Sequence, residues 1–339
     1  YAYYPEEYLD INHYGPFFSI VVAPFALQPT FLGCMFWNMA LVLCLWIAVR
    51  KMQLDKWQHI FTFWFCAHEL LTALFMQQFN IAICAIIVGS FVCIEKGKDH
   101  WATLLILIGT FVKLYGIVGI CFFFFSKHKW RFTWTFFAWA AVLFVLPMAI
   151  SSPDYVIGQY REWYDNLVAK NETNMFNEGI NISMLGLVHK LSTLFFDREA
   201  ALSFSDLWLI IPGCILFALP YLRFNQWKNR DFRLMFLASS LMFAVLFSTG
   251  TESSGYIIAF VGVCIWYCCV PWKRGNWDIA LLVFVFIISS MSPSDLFPRY
   301  IRKDFIVPYS LKALPVAVVW LKLIYEMLVK EYSLQSNKS

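Results

Sequence analysis

Charged residues are scarce in this chain of 339 residues: Asp, Glu, Lys and Arg make up 14% of it, whereas hydrophobic residues make up 60%. Soluble domains contain roughly 25% charged residues, so this composition excludes an ordinary soluble protein and is typical of an integral membrane protein. The net charge of +4 is small, and no basic stripe alternates with aromatic residues. The sequence therefore also excludes a protein that binds nucleic acid.

The sequence also lacks the usual signatures of disulfide, metal and phosphate sites. Its ten cysteines form no CxxC pair and fall in or beside apolar segments, where cysteine behaves as a small hydrophobic residue. No group of His and Asp residues has metal-ligand spacing, and no Gly-rich loop is present to cradle a phosphate. We predict no disulfide, no metal site and no cofactor. No signal peptide is visible at Tyr1, and we expect a further segment upstream of it.

Apolar segments long enough to cross a bilayer recur along the whole chain. A transmembrane helix needs about 20 apolar residues. Segments near that length predict spans at residues 31–49, 57–76, 79–94, 132–150, 206–222, 231–248, 255–270, 277–291 and 305–328. Lys and Arg cluster in alternate turns, which places those turns in the cytoplasm. We predict one all-α domain over residues 1–339, a polytopic transmembrane helical bundle.

Two segments do not fit a simple span. Residues 101–126 are apolar except for Lys113, and basic residues flank both ends. We predict that this segment enters the membrane, bends near Lys113 and Gly116, and returns, because irregular backbone at that depth must line protein or a polar cavity. Residues 15–29 contain three prolines, which predict a short broken helix at the outer interface.

The long loop at residues 151–205 is predicted to lie on the extracytoplasmic side. Six apolar and aromatic residues in its first part, between Tyr155 and Leu167, follow roughly one helical face. This pattern predicts an amphipathic helix on the outer leaflet, followed by irregular loop at residues 171–183.

Polar residues collect on the outer side of this topology. A lysine in the middle of an apolar segment is costly in hydrocarbon, so we expect Lys113 to face a polar cavity. Two of the other candidates have plainer alternatives, Glu252 as a solvated carboxylate at a helix end and Glu69 as a structural partner of His68. The residues that we expect to line one outward-facing cavity with Lys113 are His13, Tyr14, Glu69, Thr72, Met76, Gln77, Gln78, Asn80, Asn181, Ser183 and Glu252.

Short motifs follow one another along the chain. The opening segment contains Tyr14-Gly15-Pro16, residues 77–80 read QQFN, residues 111–115 read FVKLY, residues 181–188 read NISMLGLV, and residues 250–256 read GTESSGY. In this order they resemble glycosyltransferase family 87. The family has glycine where this chain has Gln77, and proline after the residue matching Lys113.

The resemblance implies a GT-C fold with re-entrant or broken helices in a bacterial inner membrane, surrounded by membrane lipids. It implies an inverting transfer of a hexose, mannose in the best-known members, from a polyprenyl-phosphate donor to a lipid or glycan acceptor on the extracytoplasmic face. It requires no metal or cofactor. The family's catalytic base is an Asp in the first outer loop, which we expect upstream of Tyr1.

Site roles follow from this resemblance together with the chemistry of phosphate and hydroxyl groups. The candidates for the catalytic base that are present in the chain are Glu252, His13 and Asp10. The candidates for substrate binding are Lys113, Gln78, Asn80, Tyr14, Asn181 and Glu69.

The main alternative is a transporter or lipid flippase, which would also use broken helices and a buried lysine near the bilayer midplane. Transporters commonly contain paired halves, and no second lysine-bearing re-entrant segment matches residues 101–126. A structural subunit of an envelope complex is the third interpretation.

Overall fold

The structure is a computed structural model that describes residues 12–176, 180–197, 200–201, 204–292 and 294–332. All regular secondary structure in these ranges is helical, which confirms the predicted all-α class. The chain divides into two compact units. Unit 1 comprises Tyr1–Leu54 and Ile81–Glu172, and unit 2 comprises Asp55–Asn80 and Thr173–Ser339.

The helix bounds follow the apolar segments of the sequence closely. The helices are α1 (Phe18–Ala26), α2 (Thr30–Arg50), α3 (Lys56–Phe75), α4 (Asn80–Glu95), α5 (Asp99–Val112), α6 (Lys129–Val145), α7 (Pro153–Phe176), α8 (Met184–Ser192), α9 (Leu207–Ala218), α10 (Arg230–Leu246), α11 (Tyr256–Cys268), α12 (Asn276–Phe284) and α13 (Ala313–Val329). A 3₁₀ helix, Leu114–Phe125, follows α5, and a π-helix, Val285–Met291, continues α12.

Two helices in the described ranges are long and apolar enough to cross a membrane, Thr30–Arg50 and Lys129–Ala149. Six other apolar helices in these ranges are shorter, with 10 to 17 residues. Some segments also contain local breaks: a 3₁₀ turn with a proline ends Lys129–Ala149, another follows α9, and the π-helix follows α12. Such breaks are expected where proline removes a backbone donor or an extra residue widens a turn.

The predicted break in residues 101–126 falls at Lys113. Lys113 separates α5 from the 3₁₀ helix and has an extended backbone, with φ −149° and ψ 123°. The two helices then pack closely, since a Cβ on Gly116 would lie 2.4 Å from the backbone carbon of Gly109. Glycine is therefore required for the chain to double back at this point. The predicted bend near Lys113 and Gly116 is confirmed, and its placement in a membrane stays a prediction.

A buried carboxylate joins the ends of this hairpin. Asp99, the first residue of α5, is buried and accepts two hydrogen bonds from Arg131, at 3.1 and 2.8 Å, and one from the Ser126 hydroxyl at 2.7 Å. Arg131 also donates to the carbonyl of Gly97 at 2.6 Å. Charge-assisted bonds from an arginine are among the stronger hydrogen bonds in proteins, so they hold α5, the 3₁₀ helix and α6 together.

Unit 2 is organised around α10 and α11, which are buried along nearly their whole length. Phe65 of α3 stacks on Phe260 of α11, with ring centroids 5.4 Å apart. The indole of Trp320 in α13 donates to the hydroxyl of Ser239 in α10 at 3.0 Å. These contacts place α3 and α13 against the central pair.

Two predicted boundaries are wrong. The span at residues 305–328 does not form one helix, because Pro308 lacks an N–H donor and Ser310 has a left-handed backbone with φ 52°, so the chain turns before α13 begins. The loop predicted at residues 171–183 begins later. No Gly or Pro interrupts residues 171–176, and α7 continues through them.

The helices α3 and α4 end in the same type of turn, but a different residue occupies the left-handed position in each. The residue after the C-cap is left-handed in both, Gln77 with φ 52° and Gly97 with φ 65°. In each turn the next amide bonds to the carbonyl five residues earlier, at 3.2 Å after α3 and 2.8 Å after α4. This is the Schellman arrangement, in which glycine is the preferred residue.

We predict that Gly97→Ala lowers the free energy of unfolding by about 1 to 2 kcal/mol, which is the cost of a left-handed backbone for an L-residue. No atom lies within 4 Å of the added Cβ, so steric contact contributes nothing. The measurement is denaturant unfolding in detergent micelles. Gln77→Gly is the converse variant and should be stabilising. An unchanged or increased stability of the Gly97 variant would contradict the backbone argument.

Candidate functional site

In unit 1, Lys113 lies between two aromatic rings. Its Nζ is 6.0 Å from the ring centroid of Tyr14 and 5.1 Å from that of Tyr115. The side chain is half-buried at the break between α5 and the 3₁₀ helix. A cation over an aromatic face is attracted to its electron density, which partly offsets the loss of water around the ammonium. The structure thus brings together two of the predicted substrate-binding residues, Lys113 and Tyr14.

The segment that carries His13 and Tyr14 is fixed to the same hairpin. The amide of Gly15 donates to the carbonyl of Val112 at 3.1 Å, and the Trp163 indole of α7 donates to the carbonyl of His13 at 2.9 Å. A Cβ on Gly15 would lie 2.1 Å from the carbonyl oxygen of Phe111, so only glycine fits. The other catalytic candidate of this segment, Asp10, lies outside the described residues.

In unit 2, the turn between α10 and α11 carries Glu252. The carbonyl of Thr251 accepts from the amide of Ile182 at 2.8 Å, and the hydroxyl of Ser254 accepts from the Asn80 side-chain amide at 3.2 Å. Thr251 and Ser254 are buried, whereas the Glu252 side chain is half-exposed. The residues on either side of the carboxylate are therefore held by neighbouring segments.

A buried ion pair lies directly beneath this turn. The Nζ of Lys312 is 2.9 Å from Oε2 of Glu69 and donates to the Ser253 hydroxyl at 2.8 Å. It also lies 4.5 Å from the ring centroid of Tyr256. The Lys312 carbonyl accepts from the Ser289 hydroxyl at 2.7 Å. Lys312 thus links α3, the Glu252 turn, α11 and the π-helix.

The second oxygen of Glu69 is less well satisfied. Its Oε1 is buried and has no hydrogen-bond partner among the described residues, with Nδ1 of His68 at 3.7 Å as an ion-pair contact. That nitrogen is also 3.2 Å from the hydroxyl of Ser290 in the π-helix. The geometry agrees with the simpler alternative for Glu69, a structural partner of His68, and adds Lys312 as its closer partner.

Asn181 has structural contacts that its motif did not reveal. It is buried, has a left-handed backbone with φ 56°, and accepts from the Ser183 hydroxyl at 2.6 Å. The same hydroxyl accepts from the amide of Gly186 at 3.2 Å and so caps α8. A Cβ on Gly186 would lie 1.8 Å from the Asn181 carbonyl oxygen. The Asn, Ser and Gly of the NISMLGLV motif therefore form one helix-capping unit.

A second buried lysine reaches the same region from α8. Lys190 donates to the Ser310 hydroxyl at 2.8 Å and to the carbonyl of Ile180 at 3.1 Å. Ser310 in turn donates to the Asn181 carbonyl at 3.3 Å. Because Ser310 is two residues from Lys312, the turn before α13 joins the segment at residues 180–190 to the ion pair.

The structure separates the predicted residues into two groups. Unit 1 contains His13, Tyr14 and Lys113, and unit 2 contains Glu69, Gln78, Asn80, Asn181 and Glu252. Within unit 2, Asn80 contacts the Glu252 turn directly and Glu69 contacts it through Lys312. The substrate roles of all these residues, and the single cavity expected for them, stay predictions.

Sequence reasoning missed Lys312, although it had a usable signal. Lys312 lies in the predicted apolar span at residues 305–328, and a lysine inside such a span is the criterion that selects Lys113. The same criterion applied to residues 305–328 selects Lys312 together with Lys322, so it does not distinguish the two.

We predict that Lys312→Met destabilises the protein by about 3 to 5 kcal/mol, because it leaves the Glu69 carboxylate buried and unpaired. The double variant Lys312→Met with Glu69→Leu should lose much less. Unfolding in detergent micelles measures both. Lys322→Met is a suitable control, because that lysine is partly exposed and its partner Glu326 keeps Arg274. Equal losses in the single and double variants would contradict this account.

The buried imidazole of His189 in α8 has acceptors at both ring nitrogens. Nδ1 is 2.9 Å from the carbonyl oxygen of Ala201, and Nε2 is 2.7 Å from Oδ1 of Asp206. Two acceptors require two N–H donors, so this geometry fits the protonated ring. The hydrogen bond with Asp206 accordingly raises the pKa of His189. Burial lowers this pKa, and the hydrogen bond with the Ala201 carbonyl raises it, so that the net pKa is raised.

A histidine whose pKa is raised by folding stabilises the protein fully below its unfolded pKa of about 6.5 and loses that contribution as the pH rises through the folded value. We therefore predict that the thermal unfolding midpoint falls as the pH rises above this range. In His189→Gln that part of the pH dependence should be absent. A wild-type midpoint that rises through the same range, or an unchanged slope in the variant, would refute the assignment.

Comparison with known families bears directly on these motifs. The model of glycosyltransferase family 87 matches residues 12–249, which is more than half of the chain. The match includes Lys113, the capping motif at residue 181 and the start of the turn that carries Glu252. No curated protein and no solved structure matches the chain significantly. The chain belongs to glycosyltransferase family 87 and is therefore a glycosyltransferase.

Proposed function

We propose that this chain is a multi-pass membrane enzyme of the GT-C type that transfers a hexose, with mannose as the first candidate, from a polyprenyl-phosphate donor to a lipid or glycan acceptor. The transfer takes place on the extracytoplasmic face of a bacterial inner membrane. Family membership supports the transferase activity, and the surface of α3 supports the location in a membrane.

The helix α3 exposes an apolar face and buries a charged residue. It exposes Trp57, Trp64 and Leu71, which recur every seven residues on one face and are 78%, 78% and 53% exposed. Its buried side contains Thr62 and Glu69 together with Phe65, Cys66 and Ala73, and Glu69 is 0% exposed. Large apolar side chains facing outward and a carboxylate facing inward are the arrangement that a hydrocarbon solvent favours. This observation carries the proposal that the chain is embedded in a membrane.

In unit 1 the chemistry at Lys113 suits a phosphate. Its ammonium is half-buried between the rings of Tyr14 and Tyr115, where a cation interacts more strongly with an anion than it does in water. Negative charge builds on the phosphate oxygen as the bond from phosphate to sugar breaks, and a fixed cation stabilises that charge. We assign Lys113 to the donor phosphate and Tyr14 to a stacking contact.

In unit 2 the chemistry at Glu252 suits a hydroxyl group. A carboxylate that deprotonates the attacking hydroxyl must be accessible and held in place, and Glu252 is only partly buried, on a turn held by Thr251 and Ser254. We assign Glu252 to the acceptor, as base or as clamp. His13 and Asp10 are the further candidates for the base, and Gln78, Asn80, Asn181 and Glu69 remain candidates for binding sugar hydroxyls.

The test uses purified protein with radiolabelled polyprenyl-phosphate mannose and lipid acceptors. We expect labelled glycolipid from the wild type, and a fall of about 100-fold or more in kcat for Glu252→Gln, which is the usual scale of general-base catalysis. Lys113→Met should lower kcat/KM because the donor phosphate loses its cation. The controls are Glu162→Gln, an exposed glutamate of α7, and Lys129→Met, whose ammonium also lies near an aromatic ring, that of Phe123.

The same preparation distinguishes transfer from transport. Vesicles reconstituted with the protein should form the labelled product. They should take up no lipid or solute when the donor is absent. No transfer with any hexose donor, together with uptake driven by substrate, would reject the proposal in favour of a transporter. Full activity in Lys113→Met would remove the phosphate assignment.

A further inference from the structure

The turn at residues 249–255 is held more firmly than a surface loop needs to be. Thr251 donates its hydroxyl to the carbonyl of Val245 at 2.7 Å and accepts the amide of Ile182 at its own carbonyl. The Glu252 carbonyl accepts from the amide of Gly255 at 3.0 Å, which closes the turn. The backbone of Glu252 therefore has little freedom, although its side chain is half-exposed.

Lys312 makes a charged contact to this turn. Its ammonium bonds to both polar groups of Ser253, the hydroxyl at 2.8 Å and the carbonyl at 3.4 Å. Ser253 directly follows Glu252, so these bonds fix the residue that adjoins the Glu252 backbone. The ring of Tyr256 packs against the same ammonium, and its hydroxyl donates to the carbonyl of Ile182 at 2.8 Å.

Stability alone does not account for this ion pair. Removing two charges from water costs several kcal/mol, and replacing a buried pair by apolar residues is often neutral or stabilising. The pair is also imperfect, since Oε1 of Glu69 has no hydrogen-bond partner among the described residues. A buried pair that is not optimised for stability, placed one residue from a candidate catalytic carboxylate, is better explained by the geometry that it imposes.

The other charged and titratable groups at this point come from neighbouring elements. Nδ1 of His68 in α3 lies 3.7 Å from Oε1 of Glu69, and the same nitrogen contacts Ser290 of the π-helix. Tyr256 of α11 faces Lys312 through its ring. Neither group replaces Lys312 at Ser253, because no other cation is recorded within bonding distance of that residue in the described ranges.

We propose that Lys312 is a positioning residue for Glu252: anchored by Glu69, its ammonium fixes Ser253 and thereby aims the Glu252 carboxylate at the acceptor hydroxyl. This role rests on the proposed function of Glu252. In this proposal Glu69 supports Lys312, and this role replaces the contact with sugar hydroxyls for which Glu69 is a candidate above.

The first experiment is a kinetic double-mutant cycle between Lys312 and Glu252. Ser253→Ala removes one of the two Lys312 bonds, and Lys312→Arg keeps the charge. We expect Ser253→Ala to lower kcat about tenfold with little change in KM, and Lys312→Arg to retain most of the activity that Lys312→Met loses. In a Glu252→Gln background the Lys312 and Ser253 changes should have almost no further effect, because coupled residues are not additive.

The proposal is overturned if the Lys312 and Ser253 changes lower kcat by the same factors in the Glu252→Gln background as in the wild type. Lys312 would then act independently of Glu252. The two mild variants, Ser253→Ala and Lys312→Arg, keep the test decisive if Lys312→Met does not fold. Monodispersity in detergent is checked for each variant before its kinetics are measured.

The second experiment does not depend on activity. Glu252→Cys is labelled with a membrane-impermeant maleimide, and the rate at that peptide is followed by mass spectrometry. We expect a several-fold change in rate when Lys312→Met is added and recovery with Lys312→Arg, whereas a cysteine at the exposed Glu162 should label at the same rate in all backgrounds. An unchanged rate at residue 252 refutes the positioning role. A wild type without transfer activity instead refutes the proposed function and leaves this measurement valid.

Discussion

The buried contact between Lys312 and Glu69 is the interaction on which the arrangement of the unit 2 candidates depends. An ammonium inside an apolar bundle must have partners, and those of Lys312 come from α3, from the turn after α10 and from α11. Two residues earlier, Ser310 joins the segment that contains Asn181 and Lys190. Elements far apart in the chain therefore meet at one short turn, because the cost of an unpaired charge leaves few other arrangements.

Unit 1 also contains an ammonium that is partly removed from water, that of Lys113, and its surroundings differ from those of Lys312. Lys113 is half-buried at the break between α5 and the 3₁₀ helix, near the rings of Tyr14 and Tyr115. The attraction of a cation to aromatic faces offsets part of the cost of removing the ammonium from water. Lys312 is almost fully buried in an ion pair with Glu69, so we propose a positioning role for Lys312 and a ligand-binding role for Lys113.

The motifs shared with the family acquire physical meaning in this structure. The residue that replaces the family's glycine, Gln77, has the left-handed backbone for which glycine is preferred. The Asn, Ser and Gly of NISMLGLV cap α8 and allow a close backbone approach between Asn181 and Gly186. Part of the resemblance therefore reflects the demands of folding. Lys113 and Glu252, which are both partly buried, are the motif residues for which we propose a role in chemistry, and Glu252 lies three residues beyond the matched range.

The all-α class, most helix positions, the break at Lys113 and the presence of polar groups at the helix ends follow from composition and local pattern, because apolar length, proline and glycine act within a few residues. The pairing of Glu69 with Lys312, separated by 243 positions, does not follow from any local pattern. Likewise, the late start of α13 depends on a left-handed turn at Ser310, whose side chain is bonded to the segment at residues 180–190. Sequence determines which groups are costly to bury, and only the tertiary structure decides which partner meets that cost, because the choice rests on contacts between distant segments.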